Sequence, residues 1–350
     1  MTFSTGELTN ITNAALDYYI NKGTVYSSTL ADKPLLAAID KGAATFPGGK
    51  ENVSLAVKGI YSAVVTGYTH TDPVAYVNPA NIERVLYPWR EHHTGISVTL
   101  TELKKDGISV NDSLDGKSTS KHSGRETTAL ANLLEDKLED MLEGYSRGMN
   151  TLLYDDGTTD VKGFAGIRSF IKDNPAATSA TVGTLRTDTN TWWRNRYNVA
   201  FNAGTTDLVE FIHTEIRQLR RYGGKPNIAV CGSAFLDKLV SVLHASGNYT
   251  QSGWNSSGSM DIAFADVKYQ GIPFVYDPAL DDLTISGKDP DKRCYIIDTS
   301  KLRMHYMEGE KMKRHSPARL HTSYEMHRAL TTTCVLCANQ LNCHGVYEIT

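Results

Sequence analysis

The sequence predicts an α+β chain built around one long helix. Three observations predict it: an amphipathic run of about 30 residues near the middle, period-2 apolar patterning before it, and short alternating helix and strand patterns after it. With 350 residues, 40% of them hydrophobic and 21% charged, the chain is globular and long enough to bury a core in two packed regions.

Residues 1–49 read as an N-terminal arm. Polar residues dominate it, apart from a short helical patch at Leu35-Leu36-Ala37-Ala38-Ile39, which ends at Gly42 before the breaker Pro47-Gly48-Gly49. So short an amphipathic piece has little to bury against itself and is expected to lie on a neighbour. Residues 50–120 read as an extended β-loop. Val53, Leu55 and Val57 alternate with polar neighbours, and so do Ile96, Val98 and Leu100. The two runs are expected to project around the Pro-, Asn- and aromatic-containing segment from Asp72-Pro73 to Tyr87-Pro88-Trp89, with turns at Asp106-Gly107 and Asp115-Gly116.

Residues 121–225 read as a peripheral domain that carries the long helix as a spine over 123–154. Ser123 and Glu126 have capping-box spacing. Leu130, Leu133, Leu134, Leu138, Met141, Leu142, Tyr145, Met149, Leu152 and Leu153 recur every three or four residues, and Asp156-Gly157 stops the helix. Such a helix is about 45 Å long. After an irregular stretch with Trp192-Trp193, a second helix starts at Thr206 or Asp207 and ends before Gly223-Gly224-Lys225-Pro226. Residues 226–305 read as an axial domain: a buried strand at Ile228-Ala229-Val230-Cys231, a helix from Ser233, a Gly/Ser/Asn loop at 245–260, and strands at Val267-Lys268-Tyr269, Ile272–Tyr276 and Cys294–Ile297. Residues 306–350 return to the peripheral domain, with one extended run expected from Leu330 to Ile349.

Composition excludes several function classes. A net charge of −3 does not mark a dedicated nucleic-acid binder. The N-terminus lacks a charged region followed by an apolar run, and no stretch approaches the roughly 20 apolar residues of a membrane span. Five cysteines fit a reducing compartment better than a disulfide framework.

The order arm, extended β-loop, spine helix and axial domain resembles the Hong Kong 97-like major capsid proteins of tailed bacteriophages over nearly the whole chain. Tyr87-Pro88-Trp89, the stretch from Lys268 to Phe274 and the stretch from Cys294 to Leu302 are similar to segments of those proteins. The resemblance implies a structural, non-enzymatic subunit that assembles as hexamers and pentamers into an icosahedral shell around double-stranded DNA, touched without sequence specificity. It implies assembly in the host cytoplasm, residence in the virion capsid, and a portal. The first β pattern begins near residue 50, which points to a separate scaffolding protein. No residues match a cross-linking Lys–Asn pair.

A search for chemistry assigns no catalytic, cofactor-binding or metal-binding residue. Cys334, Cys337, Cys343 and His344 have zinc-compatible ligand types. However, Thr331 to Leu336 reads as a strand, on which residues three apart diverge, so buried thiols are the better reading. Gly116-Lys117-Ser118 has Asn111 where a phosphate loop needs glycine. His92 and His93 beside Glu91 diverge on a strand. Asp277, Asp281 and Asp282 lack a calcium-loop spacing and read as a polar turn. Trp192 and Trp193 read as a packing anchor under the spine or at a subunit contact. The competing readings are an encapsulin-like compartment, a thiol- or zinc-dependent soluble enzyme, and a tail-tube subunit.

Overall fold

The computed structural model describes residues 3–4, 11, 33–48, 50–59, 61, 65–74, 76, 82–105, 110–111, 124–204, 207–245, 267–315 and 325–350. Ser123, Gly116-Lys117-Ser118, the turns Asp106-Gly107 and Asp115-Gly116, and the Gly/Ser loop from Ser246 on lie outside them. The main helices are α1 (Pro34–Lys41), α2 (Gly124–Leu153), α3 (Leu208–Arg220) and α4 (Ser233–Ala245). The main strands are β1 (Ala44–Phe46), β2 (Asn52–Lys58), β3 (Ile82–Pro88), β4 (Arg90–Thr99), β5 (Arg196–Phe201), β6 (Ile228–Cys231) and β7 (Val267–Tyr269). They continue with β8 (Ile272–Tyr276), β9 (Arg293–Ile297), β10 (Leu302–Met307), β11 (Lys313–His315), β12 (Glu325–Ala338) and β13 (Gly345–Ile349). Among the described residues no helix is long and apolar enough to cross a membrane.

The spine α2 has the expected length, 30 residues. Its buried positions Leu138, Met141, Leu142, Tyr145, Met149 and Leu153 keep the three- and four-residue spacing. Helix α3 begins where the sequence placed it, with Asp207 as N-cap accepting from the Val209 N–H.

Two sheets divide the core. The axial sheet has six strands in the order β7-β8-β6-β9-β13-β5. Ile228, Val230, Tyr295 and Ile297 on one face pack with the C-terminal half of α2. Ala229, Cys231, Cys294 and Ile296 on the other pack under α3 and α4. Burial on both faces is why β6 and β9 read as continuous apolar runs without alternation. The second sheet has five strands: β11-β12-β10-β1, with β4 on the free side of β12.

Three expectations change. The patch at residues 35–39 does not wait for a neighbour: Leu35, Leu36 and Ile39 are buried in the chain's own main core, and β1 continues parallel to β10. A local pattern shows what can be buried, not which chain buries it. The two alternating runs before the spine do not pair around the 72–89 segment. Strand β2 pairs with β3, which lies inside that segment, while β4 pairs with β12 along its whole length and Leu100 starts a short helix, Leu100–Lys105. Period 2 reports a face and not a partner. Finally, the run from Leu330 to Ile349 is two strands in two sheets, β12 and β13, joined by a turn through Leu341 and His344.

Candidate functional site

The most distinctive surface is the two-stranded ribbon of β2 and β3, registered from Asn52↔Pro88 to Lys58↔Ile82. At its base one face enters the core. Val53 and Val85 are 0% exposed, with Val57 and Tyr87 beside them. Each such burial stabilises by about 1.5–3 kcal/mol. The Tyr87 ring lies 5.6 Å from Phe170, and its hydroxyl donates to the Ala338 carbonyl at 3.1 Å. Burial pushes that phenol far above its ordinary value, so it serves as a donor and not as an acid.

Close backbone approaches hold the ribbon in place along its paired length. Gly59 touches Trp192, and a Cβ there would sit 1.8 Å from a ring atom. Gly183, at φ +63°, turns against Val85, where a Cβ would sit 2.1 Å from Cγ1. Thr184 accepts from the Leu86 N–H and donates to the Arg84 carbonyl. Trp193 is buried, and its indole N–H donates to the Val182 carbonyl at 3.4 Å. The tryptophan pair therefore packs as an anchor, with Trp192 seated against the ribbon at Gly59, where the paired strands give way to the tip.

The tip is the opposite. Tyr61 is 75% exposed, Val65 100% and Tyr76 94%, and Tyr68, Val74 and Ile82 are also exposed. Most of the exposed large apolar side chains among the described residues belong to this stretch. Asp72 accepts from the Thr69 N–H and hydroxyl at 2.9 and 2.7 Å, and Lys58 Nζ lies over the Tyr61 ring. Exposed apolar clusters of this kind mark contact surfaces. The sequence held one usable signal for it, aromatic and valine residues in a segment with no periodicity.

A cleft of about 300 Å³ lies over the C-terminal half of the spine, between Gly144, Gly148 and Met149 on α2, residues Glu91 to Thr94 on β4, and the Asp160 to Gly163 turn. At Gly144 and Gly148 a Cβ would meet nothing within 4 Å. Glu91 and His93 face outward and His92 inward, as alternation requires. The His92 ring meets Phe164 edge-on, its Nδ1 is 3.7 Å from the Cys334 sulfur, and burial holds its pKa down.

The spine is held by buried polar contacts. Asp277, read from sequence as part of a polar turn, is 1% exposed. It accepts from the Tyr154 hydroxyl at 2.8 Å and the Asn150 amide at 3.4 Å, and caps the short helix Pro278–Asp281 through the Ala279 N–H. Burial raises its carboxyl pKa. Asp281 accepts from the Ser233 N–H at the start of α4 and from the Tyr276 hydroxyl. Asp282 ends the short helix. Arg293, 0% exposed, donates to both oxygens of Asp173 and to Glu348, clipping the peripheral segment after the short helix Ile167–Phe170 to the axial sheet.

The cysteines behave as core residues. Cys334 and Cys337 are buried on β12, and Cys343 is buried in the turn before β13. Burial pushes the Cys334 and Cys343 thiols up to about 12 and Cys337 further. His344 is buried in the same turn, and its Nδ1 accepts from the Asp298 N–H at 3.2 Å. Among the described residues no group of three His, Cys, Asp or Glu side chains is placed to hold a metal ion.

No protein-family model matches the chain, and no curated protein matches it. Solved structures do. It is similar to a chain of the cyanophage A-1(L) capsid, with 13% identity, 91% of this chain and 92% of that chain covered, and a TM-score of 0.65. It is similar to the capsid of a native GTA particle, with 12% identity, 90% of each chain and a TM-score of 0.57. A chain of Mycobacterium phage Bobi matches with 13% identity, 89% and 90% coverage and a TM-score of 0.52. At these identities the likeness is one of fold, and the fold is the Hong Kong 97-like α+β fold of capsid chains.

Proposed function

We propose that this chain is a structural subunit of a phage-type icosahedral shell and that it performs no catalysis. One observation carries the reading: a capsid-type fold holds out a ribbon whose base is fixed in its own core and whose tip exposes apolar side chains to solvent. Such a tip costs solubility unless another copy covers it. Closed shells are made from repeating heterologous contacts of this kind. Many weak contacts made at once give the assembly its strength.

In this reading hexamers and pentamers form in the host cytoplasm with a separate scaffolding protein and a portal, and the finished shell resides in the virion around double-stranded DNA. The cleft over Gly144 and Gly148 is the receiving surface for a neighbour's tip. The chain divides in this reading into arm, extended β-loop, peripheral and axial parts near residues 49, 120, 225 and 305, although α1 and β1 pack in the body of the chain and β5, α3 and β13 pack in or on the axial sheet. The encapsulin-like alternative shares the geometry and differs in its contents.

The test is particle size. Purified chain, alone and with candidate scaffolding protein, is examined by light scattering and negative-stain microscopy. Closed shells or capsomer rings are the expected result, and nucleic acid inside particles made in cells separates a virion from a cargo compartment. A monomer or dimer that never assembles, even when crowded, removes the reading.

A further inference from the structure

Cys231 on β6 and Cys294 on β9 stand directly opposite each other across antiparallel strands at the centre of the axial sheet. The Gly232 N–H donates to the Arg293 carbonyl at 2.9 Å. That bond makes Gly232 and Arg293 the hydrogen-bonded pair and leaves the two cysteines as the closer, non-hydrogen-bonded pair. Cα atoms of such a pair lie about 4.5 Å apart, inside the roughly 4.4–6.8 Å range of disulfides. Both side chains point to the same face, under α3 and α4, with Ala229 and Ile296. The two thiols are within hydrogen-bonding reach of each other, and both are free. The other cysteines have no such partner in register: Cys334 and Cys337 share one strand of the other sheet, and Cys343 sits in a turn.

We propose that Cys231 and Cys294 form a reversible cross-strand disulfide when the chain meets an oxidant of the peroxide or disulfide class. With a peroxide, one thiolate attacks the O–O bond and becomes a sulfenic acid, releasing water. The second thiol then displaces the hydroxyl as a second water, so two thiols lose two electrons and the peroxide gains them. With a small disulfide, two successive exchanges release two small thiols and leave the protein disulfide.

Both sulfurs are 0% exposed, and burial pushes the Cys231 thiol well above its ordinary value. Reaction in the folded chain therefore passes through local opening of the sheet and is slow, while a refolding chain reacts readily. The bond closes the long loop that carries α4, and loops of that length gain most from closure. Two buried cysteines also pack as small apolar side chains. Pairing separates the two roles, and it is independent of the shell reading.

The full chain is refolded from denaturant in a mixture of oxidised and reduced glutathione, and in parallel the folded chain is held for a long incubation with dilute hydrogen peroxide under native conditions. Free thiols are then alkylated under denaturing conditions, and the peptides are mapped by mass. The expected result is two of the five thiols protected, with one cross-linked species joining the Cys231 and Cys294 peptides. Its denaturation midpoint rises and falls back after reduction. The variants Cys231→Ala and Cys294→Ala, small enough for the same space, each abolish both signals. Five alkylatable thiols under both conditions overturn the proposal, and so does protection that maps to Cys334, Cys337 or Cys343.

Discussion

The base and the tip of the β2–β3 ribbon are one hairpin in sequence and two different objects in energy. At the base, Val53, Val57, Val85 and Tyr87 are buried in the main core, with Tyr87 against Phe170 and the end of β12. At the tip, Tyr61, Val65 and Tyr76 touch mainly solvent. The same residue types therefore answer to different equilibria. Changes at the base act on folding of the single chain, and changes at the tip act on association. This division lets a projecting element hold its direction before any partner arrives.

The base responds most strongly at Tyr87. Tyr87→Ala removes a buried ring and a hydrogen bond, and is expected to cost about 3–5 kcal/mol in denaturant unfolding. A loss below about 1 kcal/mol, within the range of surface substitutions, shows that the base is not part of the core.

Acid tests the body of the chain through a buried histidine. Burial lowers the His344 pKa to about 4, against about 6.5 when unfolded. The unfolded chain then binds the extra proton between those values, so stability falls as pH drops through that window, by up to about 3 kcal/mol. Asp277, raised by burial, works in the opposite sense. The readout is therefore the difference between wild type and His344→Gln, whose stability curve is expected to be flatter from pH 6.5 to 4. Parallel curves remove the histidine's role.

The spine gives a smaller effect of opposite sign. Gly144→Ala and Gly148→Ala meet open space and are expected to raise stability by about 0.5–1 kcal/mol each. Gly148→Leu fills the cleft and is expected to lower particle yield with the monomer intact, and unchanged yield removes the cleft as a receiving surface.

The smallest effect on folding belongs to the tip. Tyr61→Ser and Tyr76→Ser are expected to leave chain stability within about 0.5 kcal/mol while the yield of closed particles collapses. Normal assembly by the double variant erases the distinction between base and tip.

By itself the sequence determined the spine, whose spacing from Leu138 to Leu153 matches its buried face, the Asp207 start of α3, and the apolar runs of β6 and β9. These are local signals, because helix period, capping and continuous burial each act within a few residues. Long-range pairing needed the tertiary structure. That β4 joins β12, more than two hundred residues away, that β2 takes β3, and that α1 is buried by its own chain were decided there. So was the placement of Asp277 as a buried acceptor for the spine. The physical reason is that a strand's alternation specifies which face is apolar, while its partner is chosen by whatever backbone edge the rest of the chain brings alongside.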